Sequence, residues 1–261
     1  HEELISSLSN AAAKELAIEE AVSKVEAQWK ELKLDICEYK EYLKLRSTED
    51  VYSALEDNAV MLSTMKASRY AVAFLADLEK WERTLSHISE TIEVLMGTQR
   101  KWMYLESIFV GSEDIRKQLP AESAMFDEVN AAFCGAMMKL NEAPSALAGC
   151  TSAGMLESLN AMEERLDRIQ KSLDEYLETK RQAFPRFYFL SNDDLLEILG
   201  QARDPQAVQP HMRKCFEAIK TLEMKEAGKD GKKVLEAVGI NSVDKEYVPF
   251  TSPTLCAGPV E

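Results

Sequence analysis

The sequence of 261 residues is poor in the residues that form turns and in those that bind metals. It contains ten glycines, eight prolines and three histidines, and with histidine only at His1, His87 and His211 we expect no His-rich metal site. Leucine, alanine, glutamate and lysine are common instead, and they favour helices. No apolar run approaches the roughly 18 residues that a membrane span requires. Because the chain begins at His1, we expect a piece of a longer protein.

The sequence also has too few basic residues to balance its acidic ones. Lysine and arginine number 31 against 45 aspartates and glutamates, so the formal net charge is −14. Nucleic acid and anionic membranes would repel such a chain, and we expect neither as a partner. The apolar share of 46% and the charged share of 29% are ordinary for a folded protein and argue against disorder.

Disulfides are not expected either. The five cysteines are isolated and odd in number, which argues against a closed disulfide framework, and none of them has metal-motif spacing. We therefore predict reduced thiols in a cytosolic compartment at Cys37, Cys134, Cys150, Cys215 and Cys256.

Helical periodicity begins near the start of the chain. Apolar residues recur at steps of four and three, as on one face of a helix, at Ile18, Val22, Val25, Trp29 and Leu32. The period then changes to two, and a tight turn follows. Residues 32–46 are therefore predicted to form a β-hairpin, and the helical pattern resumes to Phe109 with a break near Ser68.

The next helix is predicted to be long. A four-three rhythm runs through Phe74, Leu78, Trp81, Leu85, Ile88, Ile92 and Leu95. We call this apolar stripe a seam. Trp102 stays in register with it, and the polar Gln99 takes one of its positions. About forty residues at ~1.5 Å each would span roughly 60 Å, whereas helices in compact domains average about a dozen residues. This length predicts an elongated body.

A second seam follows an internal boundary at 143–154. It includes Leu166, Ile169 and Leu173 within three heptads. Short helices are predicted after Ser191 and Asp204, a last helical stripe over 212–222, and β-structure over 234–240 and 247–250. The predicted fold is mainly all-α, an elongated array of packed helix bundles with two small β-hairpins. We expect three segments, which are 1–145, 146–230 and a β-hairpin tail at 231–261.

An aromatic run interrupts the second seam at residues 184–189, and we call it the aromatic break. Proline pushes the preceding residue towards extended geometry, so the helix should end there. Aromatic side chains on an extended segment point to opposite faces. The break should therefore either pack between the seam helix and a second subdomain, which we favour, or face a partner. Its candidate hinge or contact residues are Phe184, Pro185, Phe187, Tyr188 and Phe189.

The sequence contains no pattern typical of a catalytic, cofactor-binding or metal site. Residues 228–233 are glycine-containing but lack the G-x-x-x-x-G-K-[ST] spacing of a phosphate loop. Asp193 and Asp194 suit the first turn of a helix, where acids complement the dipole. His87 flanks the long seam, and no nucleophile accompanies His211. The methionine-rich stripes are interpreted first as core and second as a pliable binding surface.

Three runs resemble the linker region of dynein heavy chains. They are W-M-Y-L-E-S-I-F at 102–109, K-S-L-D-E-Y-L-E-T-K-R-Q-A-F-P-R-F-Y-F-L-S-N-D-D-L-L-E-I-L at 171–199, and A-V-Q-P-H-M-R-K-C-F-E-A-I at 207–219. The resemblance extends from about Ala21 to the end of the chain. The sequence L-S-N-D-D at 190–194 resembles axonemal dyneins more than cytoplasmic ones. Two positions depart from the family pattern. They are Ser107, where many relatives carry proline, and the glycine-containing pair Met96-Gly97 before Gln99.

The resemblance implies a mechanical element. Such a linker lies across the AAA+ ring of the same heavy chain and changes shape with the nucleotide state of the ring. It touches microtubules only through the parent motor, binds no cofactor, and would work in the axoneme of a cilium or flagellum. Flexing would be confined to the weaker joints, which we place at 143–154 and at the aromatic break.

Two other classes of protein remain as alternatives. A passive spectrin-like scaffold would show a fixed repeat, which the hairpins and short helices interrupt. A module that binds amphipathic helices would need a groove of exposed methionine and phenylalanine, whereas the stripes have the even spacing of bundle seams. An enzyme is the class least favoured by the sequence.

The missing phosphate loop predicts that the chain does not bind ATP. We expect the same melting temperature with and without Mg-ATP, measured by differential scanning calorimetry. A bound ligand at a hundredfold excess over its Kd would stabilise the chain by about 2.7 kcal/mol. A shift of that size would contradict the prediction.

Overall fold

The structure, a computed structural model, describes residues 2–201, 204–227 and 234–256. It is mainly α with two small antiparallel sheets, which confirms the predicted fold class. The α-helices of the described ranges are α1 Glu2–Glu31, α2 Glu49–Lys66, α3 Leu75–Phe109, α4 Glu113–Gln118, α5 Pro120–Glu142, α6 Ala146–Cys150, α7 Met155–Ala183, α8 Asn192–Gly200 and α9 Met212–Cys215. The strands are β1 Asp35–Tyr39, β2 Tyr42–Ser47, β3 Ile219–Glu226, β4 Leu235–Ser242 and β5 Tyr247–Cys256.

Short 3₁₀ helices connect some of these elements, at Val72–Phe74, Pro185–Phe189 and Pro205–His211. Among the described helices, none combines the length and the apolar character needed to cross a membrane. Contacts group the chain into two compact units. The first contains His1–Trp102 and Glu128–Leu166, and the second contains Met103–Asp127 and Asp167–Glu261.

The first unit is organised around the predicted hairpin. Strands β1 and β2 pair antiparallel, with Tyr39 opposite Tyr42. Both tyrosine rings meet the edge of buried Trp102, at centroid distances of 6.0 and 5.3 Å. Trp102 also stacks on Phe133 at 4.6 Å and donates a hydrogen bond of 2.9 Å from Nε1 to Asn130 Oδ1. Offset and edge-on aromatic pairs add stability beyond burial, so this cluster fixes the hairpin against α3 and α5.

Gln99 explains the polar position in the long seam. Its side chain is 4% exposed, and its amide faces the backbone of strand β2. The Leu45 N–H donates to Gln99 Oε1 at 2.7 Å, and Gln99 Nε2 donates to the Leu45 carbonyl at 2.9 Å. A primary amide offers the same donor and acceptor pair as a peptide group. Gln99 therefore takes the place of a neighbouring strand.

The predicted boundary at 143–154 is hydrogen-bonded to the entrance of the hairpin. The Leu34 N–H donates to the Pro144 carbonyl at 2.7 Å, and the Ala146 N–H donates to the Leu32 carbonyl at 2.9 Å. Helix α6 then buries Cys150, and burial raises the pKa of this thiol to about 12. All five cysteines are free.

The second unit has its own aromatic core. Phe109 and Phe126 stack at a centroid distance of 5.5 Å. Helix α4 follows Ser112, whose hydroxyl accepts a hydrogen bond from the Ile115 N–H. Such an N-cap satisfies one of the free amides of the first turn. Helix α8 buries one apolar face, formed by Leu195, Leu196, Ile198 and Leu199.

The three-stranded sheet of the second unit has the order β3-β4-β5. Both pairings are antiparallel, with Leu222 opposite Ile240 and Gly239 opposite Pro249. A Cβ at position 239 would lie 2.5 Å from the Tyr247 ring. A larger residue at this position would therefore displace the Tyr247 ring.

A second glutamine binds the outer edge of this sheet. Gln209 Oε1 accepts from the Leu222 N–H at 2.9 Å, and Gln209 Nε2 donates to the Leu222 carbonyl at 2.9 Å. Leu222 lies on β3, the edge strand, whose outer backbone groups would otherwise lack a protein partner. This arrangement repeats the pairing of Gln99 with Leu45.

The predicted helical stripe over 212–222 is wrong in its second half. Helix α9 ends at Cys215, Phe216 is extended, with φ −141° and ψ 107°, and β3 begins at Ile219. The three-residue spacing of Ile219 and Leu222 fits a helical face by coincidence, and sheet pairing overrides it. The helix predicted after Asp204 is a 3₁₀ helix, with Pro210 inside it. Residues 228–233, the glycine-containing segment without phosphate-loop spacing, lie outside the described residues.

The seam of α7 is fully buried at Leu166, Ile169 and Leu173. Its next buried residue is Leu177 rather than Tyr176, because a straight helix drifts away from an exact seven-residue repeat. On α3, Trp102 is fully buried whereas Trp81 is half-buried.

The amide pairing at Gln99 predicts a pH-dependent defect in a Gln99→Glu variant. Near pH 7 the carboxylate would face the Leu45 carbonyl and lose a donor, at a cost of about 3 kcal/mol. A protonated glutamic acid restores the donor, so folding raises its pKa above the ordinary value of about 4.3. The lost stability should therefore return as pH falls through the raised pKa, in urea titrations of unfolding.

Gln99→Met is the matched control for this effect. It keeps the side-chain length but leaves the Leu45 backbone groups unpaired, so we expect a loss of about 1–3 kcal/mol that does not change with pH. Equal stability of Gln99→Glu at neutral and acidic pH, relative to this control, would contradict the pairing.

Candidate functional site

The candidate functional site is the aromatic break and the elements that surround it in the second unit. Helix α7 ends at Ala183, and Phe184 is extended with φ −131° and ψ 95°, as a residue before proline should be. The run itself forms a 3₁₀ helix over Pro185–Phe189 rather than an extended strand. Ser191 then caps α8, since its hydroxyl accepts from the Asp194 N–H.

The inner side of the break packs on the end of α9. Phe187 is 6% exposed, and the Phe184 ring meets it edge-on at 4.9 Å. The Arg186 guanidinium lies 4.4 Å from the centroid of Phe216 and donates a hydrogen bond of 2.9 Å to the Cys215 carbonyl. Arginine thus binds the carboxyl end of α9 and the following ring at once, a planar contact that lysine cannot reproduce.

The outer side of the break is open. Tyr188 is 54% exposed, Phe189 is 68% exposed, and Phe184 is 41% exposed. The Tyr188 hydroxyl donates to Glu178 Oε1 at 2.6 Å, and this hydrogen bond raises the pKa of Tyr188. The aromatic side chains are therefore divided between a buried anchor and an exposed surface.

Polar side chains connect the two ends of the break. Arg181, in the last turn of α7, donates to the Leu190 carbonyl at 3.2 Å and to Asn192 Oδ1 at 2.7 Å. Asn192 in turn donates to Asp174 Oδ1 at 3.1 Å. These bonds hold the start of α8 against the end of α7, so the change of direction at the break is fixed by side chains on both flanks. Sequence reasoning missed this contact.

His211 is buried between two carboxylates. It is 4% exposed; its Nδ1 lies 3.4 Å from Asp194 Oδ1, and its Nε2 lies 3.3 Å from Glu197 Oε2. Lys214 Nζ binds Asp194 Oδ2 at 2.7 Å and, as the main cause, lowers the pKa of Asp194. The cluster joins α8 to α9 and the 3₁₀ helix before it.

This cluster is the one group of three metal-capable side chains found in the described part of the chain, Asp194, Glu197 and His211. The Lys214 ammonium already binds one of the two carboxylates, and the two histidine nitrogens face different acids. The arrangement therefore links α8 to the segment at 211–214 through the ion pair of Lys214 with Asp194 and a buried imidazole that lies between two acids. The sequence predicts Asp194 in the first turn of a helix and indicates no role for His211, and only the fold brings the two residues together.

A cleft of about 420 Å³ lies beside the cluster, lined by residues of α3, α4 and α8. Its lining includes Tyr104, Ile108, Asp193 and Glu197, and burial raises the pKa of Tyr104. No histidine, cysteine, lysine or arginine lines this cleft among the described residues.

The comparisons with known proteins all match this chain to the same family. The family model described as dynein heavy chain, N-terminal region 2, matches residues 1–261. The dynein-1-beta heavy chain of the flagellar inner arm I1 complex of Chlamydomonas reinhardtii is 57% identical over 258 residues, which is 99% of this chain. Dynein axonemal heavy chain 2 is 54% identical in Mus musculus and 53% identical in Homo sapiens, over all of this chain. The chain spans 6% of the length of each of these relatives.

The ion pair at Asp194 predicts a contribution to stability that depends on pH. Because folding lowers the pKa of Asp194, this contribution is present above the ordinary value of about 3.9 and is lost as pH falls through the lowered pKa. Asp194→Asn should lower the free energy of unfolding by roughly 0.5–1 kcal/mol near neutral pH. It should also reduce the further loss of this free energy at acidic pH, as measured in urea titrations. Asp193→Asn is the matched control, since Lys214 is bonded to Asp194. An equal reduction of the acid-dependent loss in that control would contradict the assignment of this pH dependence to Asp194.

Proposed function

Because this chain belongs to the dynein heavy chain family, in its N-terminal region 2, we propose that it is the linker element of an axonemal dynein motor. In this proposal it is a helical lever that lies across the AAA+ ring of its own heavy chain and changes shape with the nucleotide state of the ring. The family match over residues 1–261 carries the proposal.

The names of the relatives support an axonemal location. They are described as flagellar inner-arm and axonemal heavy chains, so the chain would act in a cilium or flagellum. Microtubule movement would belong to the parent motor, and the chain itself would contact the ring. ATP hydrolysis would also belong to the parent motor, since this sequence contains no phosphate-loop motif.

The physical properties of the described helices suit a lever. Seam residues such as Leu166 and Leu173 are fully buried, and close-packed interiors transmit strain rather than absorb it. The aromatic break has a buried anchor at Phe187 and polar bonds on both flanks. We propose that it is a joint, in which Pro185 prevents continuation of α7 and the exposed rings of Tyr188 and Phe189 offer a contact surface.

A passive scaffold remains the alternative function. It would hold parts of the motor together without coupling to the nucleotide cycle. The two proposals differ in what a softened core does to movement relative to ATP turnover, and this difference defines the experiment.

Leu166→Ala tests the lever in the intact motor. Removing a fully buried leucine should cost about 2–5 kcal/mol in the isolated chain, through lost burial and a residual cavity. In the complete heavy chain, microtubule gliding speed should fall by a larger fraction than microtubule-stimulated ATP turnover, because the force path softens while the ring chemistry is untouched.

Arg168→Ala, on the exposed face of the same helix, is the matched control and should cost less than about 0.5 kcal/mol. Gliding and turnover that fall together in Leu166→Ala would count against a lever. An unchanged melting curve of the isolated chain would show that Leu166 is not packed as described.

A further inference from the structure

The first half of α1 carries apolar side chains that nothing in the described structure covers. Leu4 is 64% exposed, Ile5 is 67%, Leu8 is 68% and Leu16 is 53%. All residues from Glu2 to Ala17 are exposed except Ala11, which is half-buried. Leu4 and Leu8 lie on one face of the helix, and we call this face the α1 stripe, whereas Ile5 and Leu16 lie roughly 100° around the helix from it.

The α1 stripe continues an interface that is already formed. In the second half of the helix, Ile18, Val25 and Trp29 are buried, and α1 packs there against α2 and α6. The heptad that places these residues on one seam also places Leu4, Leu8 and Ala11 on it, at unbroken steps of four and three. The packing surface therefore extends by two more heptads without a partner.

A helix of this kind depends on packing for its stability. The exposed segment is about sixteen residues long, close to the length at which isolated helices are marginal in water. Its three consecutive alanines at positions 11–13 favour helix, but four exposed leucine and isoleucine side chains are unfavourable without cover. Burial of Leu4 and Leu8 in the α1 stripe would remove part of that cost.

Charge determines which partner fits. Residues 2–20 contain five glutamates and one lysine, and Glu15 occupies a seam position. In a pairing of two copies, acidic surfaces would meet and Glu15 would be desolvated beside like charges, which is unfavourable. A partner with basic residues would instead neutralise Glu15 and the flanking glutamates.

We propose that the α1 stripe is the docking surface for an amphipathic helix with basic flanks, contributed by the same heavy chain outside these 261 residues. Apolar side chains of that helix would continue the seam, a large one would fill the space beside Ala11, and a lysine or arginine would pair with Glu15.

The size of the stripe favours the same heavy chain over a separate subunit. Stable complexes between separate proteins bury roughly 1,200–2,000 Å², and two large exposed side chains on one helix face are far fewer than such an interface uses. A tethered helix needs less, because covalent connection gives it an effective concentration in the millimolar range. The relatives provide room for such a helix, since this chain spans 6% of their length. The inference rests on family membership and does not depend on the lever.

Photo-crosslinking in the intact heavy chain tests the proposal. A photoreactive amino acid replaces Leu8, and in a matched control it replaces Ser9, which is exposed in the same turn but off the seam. We expect position 8 to link within the heavy chain, at unchanged mass on a denaturing gel, to a peptide with apolar three-four spacing and basic flanks, identified by mass spectrometry. Position 9 should give little of this product.

The other outcomes overturn the proposal. A product of doubled mass would show a second copy, and a product with another subunit would show a partner in trans. Equal yields at both positions, or no product at position 8, would show that the stripe has no specific cover.

Binding of the mapped peptide provides the second measurement. A synthetic copy should bind the 261-residue chain, and Leu8→Asp should weaken its Kd at least about tenfold, whereas Ser9→Asp should change it less than about twofold. Glu15→Lys should weaken binding of this basic peptide and reduce its salt dependence. Equal effects of the two aspartate variants would assign the binding to charge alone and overturn docking on the stripe.

Discussion

A strand that lies beside helices must find partners for the peptide groups on its outer edge, and this constraint shapes both units. Each unit meets it with a glutamine amide: Gln99 binds both backbone groups of Leu45, and Gln209 binds both backbone groups of Leu222. An unpaired buried peptide group would cost about 1–3 kcal/mol. The two amides therefore let small sheets dock in a protein that is otherwise built from helices.

Much of the helical architecture was predictable because burial and periodicity agree along long segments. The first hairpin and the start of a helix after Ser191 follow from local patterns, and the structure contains both. The four-three spacing along α3 and α7 predicts long helices there, and the structure contains these as well. Strand β3 did not follow, because Ile219 and Leu222 also fit a helical face. Its identity depends on pairing with β4 and on Gln209, and both lie beyond any local window.

The candidate site was predictable in position but not in chemistry. Pro185 marks the end of α7 in the sequence, whereas the bonds of Arg181 to Asn192 and the cluster around His211 join residues whose pairing is set only by the fold. The break also divides its rings unequally, since Phe187 is an anchor while Phe189 faces solvent. A segment that is anchored on one side and open on the other can stay attached to its own unit and still offer a contact surface.

The two glutamine amides differ greatly in the length of chain that they close. Gln209 and Leu222 are 13 residues apart, whereas Gln99 and Leu45 are 54 apart, with all of α2 and most of α3 between them. Closing a longer loop costs more entropy, and contacts distant in sequence form late when chains fold. We therefore expect the hairpin of the first unit to remain undocked until α2 and α3 have formed, which leaves its outer edge open to other strands for longer during synthesis.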